Sequence, residues 1–173
     1  MIGHMTSAAP APTPPSKEKE SPDVATFVGF VHSGKSSAHS YVALLGIRQF
    51  DPVRLLEKVE RGIAYSSFAR FQRSIDLPQA RLLDVVQIPQ RTLTRRRKEG
   101  RLRPDESDRL LRVSRVFGQA IELFDGDADA ARRWLSTPQA VLGGAIPWDL
   151  AKTELGSREV ESAIGRIEHG VFS

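Results

Sequence analysis

The chain is predicted to be all-α, with an N-terminal helix-turn-helix bundle followed by a small C-terminal helical module. Three observations carry that prediction. From residue 36 onward apolar side chains recur at three- and four-residue intervals, and no stretch alternates convincingly as a strand does. Helix starts and stops are punctuated by residues suited to those places, as at Asp51-Pro52, Gly62, Gly100 and Pro104-Asp105. Two short helical stretches are separated only by Gln87-Ile88-Pro89, which forces a tight crossing of one on the other.

In chain order, residues 1–22 are rich in Pro, Ala, Ser, Lys and Glu and read as a disordered tail, with residues 1–4 a tag remnant ahead of Met5. No apolar core of a secretion signal lies there. Val24 to Val28 fits a short strand, and Ser37 to Leu45 a short helix closed by Gly46. Asp51 caps a helix running to Arg61, with Val53, Leu56 and Val59 as its expected apolar face. Ser66 to Ile75 follows, then Pro78–Val86 and Gln90–Glu99 around the tight turn. Pro104 opens the longest helix, striped by Leu110, Val113, Phe117, Ile121 and Phe124. Gly126-Asp127 ends it and caps Ala128 to Leu135; a turn-rich connection then leads to a short helix at Asp149–Thr153. Gly156-Ser157 is expected to cap a final helix with Val160, Ile164 and Ile167 on one face. The division expected is residues 23–103 for the helix-turn-helix domain and 104–173 for the C-terminal domain.

Charge is unevenly placed. Residues 1–103 carry 17 basic and 9 acidic side chains, whereas residues 104–173 carry 8 basic and 12 acidic ones. Such asymmetry fits two partners, a polyanion for the front half and something else for the back. No apolar run approaches the roughly 18 residues of a membrane span, so no membrane partner is expected. The absence of cysteine removes disulfides and thiolate metal sites and fits a cytoplasmic protein. His4, His32, His39 and His169 lack ligand spacing, so neither metal nor cofactor is expected.

The stretch from Ala80 to Lys98 is the most informative. Leu82, Leu83 and Val86 supply a buried face for its first helix, and Ile88 and Leu93 pin the second against it. That second helix offers Gln90, Arg91, Thr94 and Arg95 outward, side chains able to read base edges in a major groove. Arg96, Arg97, Lys98 and Arg101 (with Arg103) are then placed for phosphates, contacts that position a protein without reading sequence. Gln87 stands where such a turn usually has glycine, and Arg96 where an apolar residue is usual. The bland alternative is a solvated basic helix.

Gly29 to Ser36 fits G-x-x-x-x-G-K-[ST], the pattern of a phosphate-cradling loop. No parallel-sheet strands follow, and no apolar run ends in an aspartate suited to magnesium, so a Gly/Ser linker is the better reading. Asp125, Asp127 and Asp129 lack the glycine and terminal glutamate of a calcium loop and read as helix caps. Nothing sets a nucleophile against a base, and no enzymatic activity is expected.

The motif Trp134-Leu135-x-x-Pro138-x-x-x-Leu142-Gly143-Gly144-x-x-Pro147 carries a family resemblance. With Arg91-Thr92-Leu93-x-Arg95-Arg96, Gly100-x-Leu102, Glu106-Ser107-x-Arg109-Leu110 and Val160…Ile167-x-x-Gly170, the chain resembles the Xre/ParS/MbcA-type antitoxins over about residues 50–172. The resemblance implies binding of a RES-domain toxin, a small NAD-consuming enzyme whose active site is blocked, and repression of the antitoxin's own operon. A homodimer on operator DNA is expected with it, within a larger toxin–antitoxin complex. Taken on the residues alone, Trp134, Leu135, Leu142 and Trp148 are core, and Gly143-Gly144 supplies backbone angles denied to other residues. A terminal helix can enter a concave site, which singles out Arg158, Ile164, Arg166, Ile167, Glu168, His169 and Gly170 as toxin contacts. The competing functions are a stand-alone transcription regulator and, more distantly, a nucleotide-binding enzyme using Lys35.

Overall fold

The computed structural model describes residues 20–48 and 50–170, so most of the expected tail lies outside the described residues. Among the described residues the regular elements are helical, in the order α1 (Pro22–His32), a 3₁₀ turn at Ser40–Leu45, α2 (Pro52–Arg61), α3 (Tyr65–Ile75), α4 (Gln79–Val86) and α5 (Gln90–Glu99). α6 (Pro104–Leu123), α7 (Ala128–Ser136), a 3₁₀ turn at Ala140–Leu142, α8 (Pro147–Leu150) and α9 (Glu154–Glu168) complete it. The all-α expectation holds.

α6 is the axis. Leu110, Val113, Val116, Phe117, Ala120 and Ile121 are buried along it, and α1, α2, α3, α4, α7, α9 and the Ser40–Leu45 turn all pack on it. A stripe that wide marks a helix enclosed on most sides. Gly118 permits the close approach of the 3₁₀ turn, because a Cβ there would sit 2.8 Å from the Cβ of Tyr41.

Three expectations are corrected. Val24 to Val28 belongs to helix α1, capped by Ser21 with Pro22 in its first turn. Val24 and Phe27 are buried, with Val28 and Val31 packed beside them, and that spacing is a helical stripe. On α2 the apolar face is rotated from the expected one: Leu55 is buried while Val53 and Leu56 are 65% and 59% exposed. Leu55 and Val59, four apart, are the pair that faces the core. α9 begins earlier than Gly156, with Thr153 accepting the Gly156 N–H at 3.0 Å. Gly156 and Ser157 instead pack its first turn on α8, where any Cβ at 156 would collide with the Leu150 carbonyl and Ser157 Oγ donates to the Ala151 carbonyl.

Polar ties cross between elements. Arg70 on α3 grips the buried Asp23 carboxylate through Nε at 2.9 Å and Nη2 at 2.6 Å. One turn along α3, Arg132 of α7 donates to the Ser74 carbonyl at 2.7 Å. Arg81 and Asp84 of α4 alternate with Asp149 and Lys152 around α8, at separations of 2.7 to 3.3 Å.

The orientation of α5 depends on a buried ion pair. Arg96, with its side chain 3% exposed, donates from Nε and Nη2 to both oxygens of Glu106 at 2.7 and 2.9 Å, and from Nη1 to Glu99 at 2.7 Å. Glu106 also accepts the Arg103 N–H at 2.8 Å, closing the start of α6. Burial would raise the Glu106 carboxyl, yet the hydrogen bonds from Arg96 and Arg103 outweigh it and hold the group below the usual carboxylate range. Arg96 is correspondingly raised by its bonds to Glu106.

Arg96→Ala should therefore destabilise the fold by about 3–5 kcal/mol, since it strands a buried carboxylate. Arg96→Met with Glu106→Leu should recover most of that loss, measured by urea denaturation. If the single and double variants melted alike, the pair would have no such role. Because the Glu106 carboxyl is lowered on folding, its contribution is present above the ordinary carboxylate range and is lost as pH falls through the lowered value. The loss on acidification below the ordinary carboxylate range should accordingly be smaller in the double variant than in the wild type.

Candidate nucleic-acid and partner interfaces

α4 and α5 form the tight crossing expected of them. Gln87 ends α4 in the left-handed region at φ +55°, and its side-chain amide donates back to the Asp84 carbonyl at 2.6 Å. A residue with a Cβ holds this conformation at some cost, which glycine would avoid. Ile88 and Leu93 are buried and seat α5 against the bundle, as its spacing predicts.

Opposite that contact, Gln90, Arg91, Thr94, Arg95 and Lys98 are exposed and fall at three- and four-residue steps along one side of α5. Arg97 is exposed on its flank. Arg95 is held only loosely, 3.9 Å from Glu99. Arg96 leaves this set, because its guanidinium is buried against Glu106 and bonded at its edge to Glu99. What looked like a phosphate contact is the strut that presents the other arginines.

Arg101 lies just beyond α5, where residues 62–65 and 100–102 run side by side. The Tyr65 N–H donates to the Gly100 carbonyl at 2.9 Å and the Leu102 N–H to Ile63 at 2.8 Å. Gly62 is needed there, since a Cβ would overlap the Leu102 carbonyl. Arg101 Nη1 donates to the Arg61 carbonyl at 2.9 Å while its side chain stays exposed. That tie brings the end of α2 beside the end of α5, a juxtaposition that local spacing cannot reveal.

The phosphate-loop pattern does not survive the fold. Its first half is the end of α1 where a strand would be required, and the Lys35 N–H is bonded to the Phe30 carbonyl. The aspartates after α6 act as the expected terminators: Asp125 has φ +50°, Asp127 caps α7 by accepting the Ala130 N–H at 2.8 Å, and Asp129 pairs with Arg132. No group of acidic or histidine side chains is placed to hold a metal among the described residues. No helix among them is long and apolar enough to cross a membrane.

At the other end of the protein, α7, α8 and α9 close around Leu135, Trp148, Val160 and Ile164. Ile164 is only 2% exposed, so it is removed from the set of partner contacts: it holds α9 to its own domain. Trp134 and Leu142 are half-buried against the same core, and Gly143 and Gly144 turn the connection at φ +66° and +86°. Arg158 is exposed and bonded to Glu154 at 3.0 Å. Arg166 and Ile167 are half-buried, whereas Glu168, His169 and Gly170 are exposed at the end of the helix. Leu155 is 72% exposed one turn from Arg158, an apolar side chain absent from the expected contacts.

Comparison with known proteins gives the same two parts. Residues 54–115 match the model described as the antitoxin Xre-like helix-turn-helix domain, and residues 119–170 the antitoxin Xre/MbcA/ParS C-terminal toxin-binding domain. Both matches run into α6, so the expected boundary at Arg103/Pro104 stands beside one drawn within that helix, and α1 precedes both. Antitoxin Xre of Yersinia enterocolitica is 42% identical over 120 residues, covering 69% of this chain and 81% of the relative. Antitoxin Xre of Photorhabdus laumondii is 34% identical over 123 residues, covering 70% and 75%. The "Prs ADP-ribosylating antitoxin" of a Sphingobium species is 28% identical over 131 residues, covering 70% and 82%. The chain belongs to the Xre antitoxin family, and one helix joins that family's helix-turn-helix to its C-terminal toxin-binding domain.

Proposed function

We propose that the chain neutralises an NAD-consuming RES-domain toxin by laying the end of α9 over its active site, and represses its own operon through α5. The observation that carries the first half is the exposed terminus of α9, at the end of the segment matched as toxin-binding. Glu168, His169 and Gly170 project from a helix whose inner face is fixed by Val160, Ala163 and Ile164. A helix fixed by its inner face, with exposed polar groups at its last turn, suits contact with a concave site. The Sphingobium relative's name points to ADP-ribosyl chemistry, for which NAD is the usual donor, and supports that class of toxin.

For the second half, Arg91 and Arg95 stand on the exposed side of α5 with Gln90 and Thr94, in the arrangement that reads base edges. Arg97, Lys98 and Arg101 flank them for phosphates. A homodimer would present two such helices to two half-sites of an operator.

Binding to a labelled duplex from the region upstream of the chain's own coding sequence tests the DNA reading. Arg95→Ala should relax preference at one base pair by about 1–3 kcal/mol, whereas Arg97→Ala should weaken all sequences alike and lower the salt slope by about 1. A uniform loss for Arg95→Ala would make it a backbone contact. For the toxin, a chain ended at Ile167 should keep its melting temperature and DNA affinity yet fail to protect NAD from a co-expressed toxin encoded beside it. Full protection by that shortened chain would overturn the α9 reading. Ending the chain earlier is uninformative, because Val160, Ala163 and Ile164 are core.

A further inference from the structure

A second basic face lies beside the reading helix. On α2, Arg54, Lys58 and Arg61 are separated by four and three residues and so share one side of the helix, spanning about 10 Å. All three are exposed, and none forms an ion pair with the described residues. The core-facing pair Leu55 and Val59 holds α2 down, and Val53, Leu56 and Glu60 occupy other directions, while Glu57 borders the basic face, three residues from Arg54 and four from Arg61, without an ion pair to either. Lys58 and Arg61 also suit the negative end of their helix, but Arg54 sits in its first turn, where a positive charge opposes the helix dipole. Helix stability does not account for it.

Position decides what this face meets. Arg101, just past α5, hydrogen-bonds the Arg61 carbonyl at 2.9 Å, and residues 62–65 are tied to 100–102 by backbone bonds. Through that tie the end of α2 is fixed to the end of the helix proposed to enter the major groove. A duplex held by α5 carries a phosphate charge about every 1.7 Å along its axis, on ridges flanking the groove. We propose that Arg54, Lys58 and Arg61 form a second backbone track, engaging duplex phosphates beside the groove that α5 reads and adding affinity without sequence preference. This inference rests on the DNA-binding reading of α5.

The test uses the full chain and two labelled duplexes, the upstream one and one of random sequence, across a salt series. Arg54→Gln, Lys58→Gln and Arg61→Gln together should make the salt slope shallower by about 2 to 3, near 0.9 for each lost contact. Each single variant should give about a third of that change, and the ratio of affinities for the two duplexes should stay at the wild-type value. Lys35→Gln with Arg133→Gln, which removes exposed charge elsewhere, should leave the slope unchanged. An unaltered slope in both triple and single variants overturns the proposal while leaving the α5 reading intact. So does an equal loss in the charge control, or a collapse of the affinity ratio. Failure of the wild-type chain to bind either duplex overturns the α5 reading, and the second track with it.

Discussion

Everything in this protein leans on the burial of one helix along its whole length. α6 is 20 residues long and therefore about 30 Å, the width of a small domain. α1, α2, α3, α4, α7, α9 and the Ser40–Leu45 turn all pack on it. These elements have no closed core without it. A helix-turn-helix and a partner-binding module joined by a flexible linker would be free to move apart. Here the same apolar side chains serve both, and loosening one loosens the other.

Electrostatics is divided between two tasks that look identical in sequence. The run Arg95-Arg96-Arg97-Lys98 reads as one solvated patch. Inside the fold its members part company, because a helix turns each successive side chain by roughly 100°. Arg96 falls on the side of Leu93 and meets Glu106, while its neighbours stay in water. Burying a guanidinium and a carboxylate is costly unless both are fully bonded, and Glu106 takes three N–H donors. A pair satisfied in this way specifies how α5 lies on α6. An apolar pair in its place would hold the helices together with less say over their angle.

Much of the architecture was legible from local pattern. The helices from α3 to α7 begin and end close to where caps, prolines and glycines put them, since those signals act within a single turn. The departures share a different cause. Val24 to Val28 fits a short strand by local preference, yet Val24, Phe27, Val28 and Val31 carry a helical stripe across the whole of α1. On α2 two apolar stripes compete, and only the packed bundle selects Leu55 with Val59 over Val53 with Leu56. The inward turn of Arg96 and Ile164 has the same cause: which side of a helix faces inward is set by elements distant in sequence.

The arrangement also bears on how the two ends of the protein can influence each other. Coupling between sites needs a physical element that both of them bias. Three ties connect the helices around α4 and α3 with those of the C-terminal domain. They are the alternating charges of Arg81, Asp84, Asp149 and Lys152, the Arg132 bond to the Ser74 carbonyl, and α6 itself. The charge cluster is largely exposed and so weakly held, screened by salt as surface pairs are. α6 is the stiff member. A load on the tip of α9 reaches α4 and α5 chiefly through α6, because Glu106 fixes α5 to its start and the Arg115 bond to Glu161 fixes α9 to its middle. The helix-turn-helix and the C-terminal domain thus meet on the face of one buried helix.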